Sequence, residues 1–97
     1  MRLSIDNDSP YLATQHEAIT LFCEAAGFSA GIDSYEWVFK NTLSSTFEPI
    51  ELEYSSSLTI DSVDYLQHLG DYYCRVTSSM GPYTSNIYSV QASKLTA

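Results

Sequence analysis

Gly70-Asp71-Tyr72-Tyr73-Cys74-Arg75-Val76 is the stretch on which the reading of this chain turns. In an extended segment successive side chains face opposite sides, so Tyr72 and Cys74 share one face while Tyr73, Arg75 and Thr77 occupy the other. Working outward, Ile19-Thr20-Leu21-Phe22-Cys23 alternates in the same way and puts Ile19, Leu21 and Cys23 together. Tyr35-Glu36-Trp37-Val38-Phe39-Lys40 alternates again, with Tyr35, Trp37 and Phe39 on one side, and Leu58-Thr59-Ile60 is a shorter run of the same kind. Period-two patterns of this sort predict half-buried β-strands.

Taken in order, Cys23, Trp37 and the Gly-x-Tyr-x-Cys run ending at Cys74 resemble the core of immunoglobulin-like domains, most closely the I-set type. The resemblance covers Ala18 to about Ala92. It implies an all-β fold: a two-sheet antiparallel immunoglobulin-like β-sandwich with Greek-key topology. It also implies a disulfide between Cys23 and Cys74 across the core, Trp37 packed against that bridge, and a tyrosine corner made by Tyr72. Leu21, Leu58 and Ile60 are then core residues of the family's strands B and E. Ser78 and Gly81 resemble the residues that open the F–G turn. The pattern departs at one place: where such domains carry an aspartate six residues before the second cysteine, this chain has His68. Asp64 and Asp71 are the residues available to take its place.

Only Asn41 to Ser57 separates the third and fifth family strands, room for one short C′ or D strand and not for the extra strands of a variable-type domain. Ile50-Glu51-Leu52-Glu53-Tyr54 has the alternation for it, with Ile50, Leu52 and Tyr54 inward, and Ser55-Ser56-Ser57 reads as a turn. Near the N-terminus Leu3 and Ile5 fit an edge strand that Ser9-Pro10 interrupts before a second segment at Tyr11 to Thr14. The last strand is expected over Tyr83 to Ala92. The whole reads as one domain over residues 1–92 with a tail or linker over 93–97.

The 97 residues, 44% hydrophobic and 13% aromatic, suffice for one core. No run approaches the roughly 18 apolar residues of a membrane span, so direct membrane insertion is not expected. Four Lys and Arg against 12 Asp and Glu give a net charge of −8, which disfavours nucleic acid and anionic membranes as partners. Glu48, Glu51, Glu53, Asp61 and Asp64 read as a solvated acidic edge that opposes strand-to-strand aggregation. His16 and His68 have no neighbour at metal-ligand spacing, and no nucleophile elbow, phosphate loop or cofactor motif is present, so neither enzyme activity, a metal nor a cofactor is expected.

A binding module remains. With Trp37 and Cys74 inward, Glu36, Val38 and Lys40 on one strand and Tyr73 and Arg75 on its neighbour form an outward surface. Tyr and Arg are the residue types enriched in interface hot spots. Ile87 extends that patch if Tyr88 and Val90 face inward. The opposing reading pairs Glu36 with Arg75 and lays Tyr73 on its neighbours, as ordinary sheet surfaces do. A second candidate is the loop end, with Ile32, Met80 and Tyr83 exposed, Phe28 folded back into the core, and Tyr83 alternatively capping that core. The resemblance implies a protein partner, heterophilic or homophilic, for one domain of a cell-surface or secreted adhesion molecule or receptor, with neighbouring domains. An intracellular scaffold, signalling or filament domain with reduced cysteines is the alternative. Asn7-Asp8-Ser9 is a formal glycosylation sequon.

Overall fold

The computed structural model describes residues 2–5, 10–27, 31–50, 53–79 and 81–93. Among them run β1 (Arg2–Ile5), β2 (Tyr11–Ala13), β3 (Ile19–Ala26), β4 (Ser34–Asn41), β5 (Glu48–Pro49), β6 (Ser57–Ile60), β7 (Gly70–Ser78), β8 (Gly81–Thr84) and β9 (Tyr88–Ala92). They form a Greek-key sandwich of a three-stranded sheet, β1-β3-β6, on a larger sheet, β2-β9-β7-β4-β5, in which β8 also pairs with β7. All pairings are antiparallel except β2 with β9.

β3, β4, β6 and β7 form where the alternation predicts, because each has an apolar face to bury. Along β7 every second residue from Gly70 to Ser78 is buried. Leu21, Trp37, Leu58, Ile60, Tyr72 and Cys74 are all core residues. Cys23 and Cys74 are joined by a disulfide that ties β3 to β7, one sheet to the other. Trp37, fully buried, satisfies its indole by donating from Nε1 to the Ser55 carbonyl at 3.0 Å. Phe39, directly opposite Tyr72, stacks on it at 4.4 Å between ring centroids.

The tyrosine corner is present. Tyr72 donates its hydroxyl proton to the His68 carbonyl at 2.6 Å, and burial pushes its pKa well above the usual phenol range. Asp64, not Asp71, organises the turn: its Oδ1 accepts from the Leu66 N–H at 2.8 Å, while its own N–H donates to His68 Nδ1 at 2.9 Å. The same end is clamped to the turn after β2, where Tyr65 donates its N–H to Gln15 Oε1 and its hydroxyl proton to the Ala13 carbonyl.

Two strand expectations are corrected. A short strand is found at Glu48–Pro49, while Ile50, Glu53 and Tyr54 of the expected segment lie outside the strands. The Ile50 N–H still reaches the Trp37 carbonyl and Ile50 packs on the core as expected, but Tyr54, expected inward, is 66% exposed. The last strand is broken into β8 and β9. Three steps along β7, from Arg75 to Tyr72, face four along the partner, from Thr84 to Tyr88, so one extra residue bulges out. Tyr83 and Tyr88 are separated by an odd number of positions, and the bulge is what lets both face inward, opposite Val76 and Tyr72. Ser85 bridges the break, its Oγ accepting from the Cys74 N–H at 2.9 Å while its N–H donates to the Cys74 carbonyl at 2.8 Å. At the far end the Ser93 N–H still donates to the Ala13 carbonyl, one residue past β9. Asn7, Phe28, Glu51, Leu52, Met80 and residues 94–97 lie outside the described residues.

Candidate protein-binding face

Because Trp37 and Cys74 point into the core, the intervening residues of β4 and β7 must point out. They meet as three successive cross-strand pairs: Glu36 opposite Arg75, Val38 opposite Tyr73, and Lys40 opposite Asp71. An apolar pair is thus bracketed by two pairs of opposite charge.

At one end Arg75 donates from Nε to Glu36 Oε1 at 2.9 Å and from Nη2 to the same oxygen. At the other, Lys40 Nζ lies 4.0 Å from Asp71 Oδ2, and Asp71 Oδ1 accepts from the Ser89 hydroxyl at 2.7 Å, carrying the polar contacts on to β9. Side chains 33 to 43% exposed make such pairs worth about 1 kcal/mol or less each. Their value lies in orienting charge on the face.

Between them the Tyr73 ring meets the Phe47 ring edge-on at 5.1 Å, and Lys40 Nζ stands 5.4 Å from the Phe47 centroid. Val38, expected as exposed apolar surface, is only 3% exposed. Its strand neighbours are the ring-bearing Tyr73 on one side and Pro49 on the other, which wall it in. Phe47 supplies the exposed apolar surface in its stead. No period-two run includes Phe47, and its place two residues before Pro49 is the one signal the sequence offers for it. Tyr54, expected inward, instead lines a hollow beside the Glu36–Arg75 pair together with Thr77 and Pro82.

The loop end is less open than expected. Ile32 and Tyr83 are half-buried and pack against the core, so Tyr83 is no free anchor there; Met80 lies outside the described residues. Ile87 is 48% exposed, with Tyr88 and Val90 inward, but it sits in the break between β8 and β9. No group of three or more His, Cys, Asp or Glu side chains gathers to hold a metal among the described residues.

No protein-family model matches the sequence, and no curated protein matches it significantly. Among solved structures it is similar to the swine CD8aa homodimer, at 18% identity with a TM-score of 0.72 over 95% of this chain and 98% of that one. At that identity the likeness speaks for the fold alone. Together with the disulfide between the sheets, the buried tryptophan and the tyrosine corner, it establishes this chain as an immunoglobulin-like β-sandwich domain.

Proposed function

We propose that this chain is a non-catalytic protein-recognition module of I-set-like type, one domain of a cell-surface or secreted adhesion molecule or receptor. It binds through the outer face of β4 and β7, with Tyr73 and Arg75 as anchors and Glu36, Lys40 and Phe47 around them. The observation that carries this reading is the bracketed arrangement of aromatic centre and flanking opposite charges on one flat face. Buried in a contact, rings supply dry area while the charges set register.

The charge order is also self-complementary. β4 carries Glu36 then Lys40, and β7 carries Arg75 then Asp71 beside them. A second copy turned over onto the face along the strand direction sets Glu36 against Arg75 and Lys40 against Asp71, so homophilic contact is the first partner to examine. The similar solved structure is itself of a homodimer. The disulfide supports an oxidising, extracellular setting.

The test uses the domain made multivalent as a probe of cells and extracellular proteins from its natural source, alongside sedimentation of the domain alone. Arg75→Ala and Tyr73→Ala are expected to lose binding or self-association. Arg75→Ala should cost less than about 1 kcal/mol of stability, so lost binding is not lost folding. Unchanged binding by a folded Tyr73→Ala/Arg75→Ala double variant would remove this face from the proposal.

A further inference from the structure

The smaller sheet ends at β6, whose far edge carries no strand among the described residues. Cys23 donates its N–H to the Ser56 carbonyl, and the register runs on from there through Leu21 with Leu58 to Ile19 with Ile60. In an antiparallel ladder hydrogen-bonded pairs alternate with non-bonded ones. Leu58 and Ile60 therefore spend their main-chain groups on β3, and Ser57 and Thr59 turn theirs to the open edge, where the Ser57 carbonyl accepts from the Ser55 hydroxyl at 2.8 Å and the two N–H groups and the Thr59 carbonyl remain for a partner.

Beside that edge the described residues of the sandwich leave a gap. Phe39 and Ile50 from one sheet and Leu58 and Ile60 from the other line the gap, with Glu53 and Asp61 at its rim. Neither carboxylate makes an ion pair among the described residues. Apolar walls, edge-facing N–H groups of Ser57 and Thr59, and carboxylates with no ion pair among the described residues thus coincide at one place, distinct from the Tyr73 face.

We infer that this edge receives an extended segment of another protein, added as a strand beside β6, with an apolar side chain entering the gap and a Lys or Arg meeting Glu53 and Asp61. Recognition by strand addition combines main-chain hydrogen bonds for affinity with alternate side chains for specificity. The same two carboxylates repel acidic strands, and a four-residue edge is too short to recruit partners without the side-chain contacts. The occupant is therefore basic as well as apolar, complementary to the rim and to a chain of net charge −8.

The probe is a short synthetic peptide of alternating Thr and Val with Lys at each end, compared with one ending in Glu, titrated to about 1 mM, where weak strand addition is measurable. Amide hydrogen exchange and chemical shifts give the readout. The Lys-ended peptide is expected to slow exchange at Ser57 and Thr59, and the Glu-ended one is not. Glu53→Lys/Asp61→Lys should weaken binding by about tenfold or more. Thr59→Pro removes an edge-facing N–H at a position where an edge strand tolerates proline, and should abolish it. The Tyr73→Ala/Arg75→Ala variant should bind as wild type, which separates this surface from the sheet face. No binding of the Lys-ended peptide, or binding indifferent to Thr59→Pro and to charge reversal, overturns the inference. So does protection of Ser57 and Thr59 in the protein alone: in a monomer it would mean the chain fills its own edge, and with concentration dependence it would mean a second copy does.

Discussion

Asn86 accepts, through its side-chain Oδ1, a hydrogen bond from the main-chain N–H of Ile5 at 2.9 Å. The residue sits in the bulge that separates β8 from β9, so the irregularity of the larger sheet holds the edge strand of the smaller one. Asn86→Ala leaves the N–H of the buried Ile5 without that partner and is expected to cost about 1–3 kcal/mol. Asn86→Asp keeps the acceptor and should recover most of it. Urea unfolding gives the magnitude, and faster amide exchange at Ile5 in Asn86→Ala alone would locate the effect.

Gly70 begins β7 with φ at +152°, and a Cβ there would stand 2.0 Å from the Lys40 carbonyl oxygen. The obstacle is backbone of the paired strand, which cannot swing aside. Gly70→Ala is expected to destabilise by about 4 kcal/mol or more, at the diagnostic end for a single substitution. Thermal unfolding beside Gly31→Ala, where nothing lies within 4 Å of the added atom, separates the clash from the strain of positive φ.

Cys23 and Cys74 close a loop with a sequence separation of 51, so reduction should remove about 4 kcal/mol in the chain-entropy account. Denaturation with and without reductant measures it. Alkylation of protein from its natural source then decides the compartment: cysteines that label only after reduction support the extracellular reading, and freely labelling thiols favour an intracellular scaffold.

Glu17 accepts from the Thr14 N–H and from the Tyr11 hydroxyl, and these bonds, the backbone one foremost, hold its pKa below the usual value of 4.5. A group whose pKa falls on folding adds stability above its unfolded value and loses it as pH drops through the folded one. Tyr11, raised chiefly by its hydrogen bond to Glu17, and Tyr72, raised by burial, act oppositely. Their contribution is complete below pH 10 and is lost as pH rises above it. Urea midpoints across pH should fall at both extremes, and Glu17→Gln should flatten the acid limb.

What the amino-acid order determined by itself was the strands that carry the core, β3, β4, β6 and β7, and their inward faces. Ile19, Leu21 and Cys23, or Trp37 and Cys74, share a face because a period of two is a property of the extended chain, needing no tertiary information. The cysteine, tryptophan and tyrosine positions then select a sandwich. Tertiary structure decided which outward residues are surface at all. Val38 has the outward parity of Glu36 and Lys40, yet it is covered because β5 brings Pro49 beside it while Tyr73 lies across from it. Phe47 reaches the face only because β5 folds back on β4, and Tyr54, inward by parity with Ile50, is instead exposed beside the Glu36–Arg75 pair. The bulge at Ser85 to Ile87 likewise turns Tyr83 to the core, against its parity with Tyr88. Parity is local, whereas burial depends on what other strands bring alongside, and only the assembled sheets supply that.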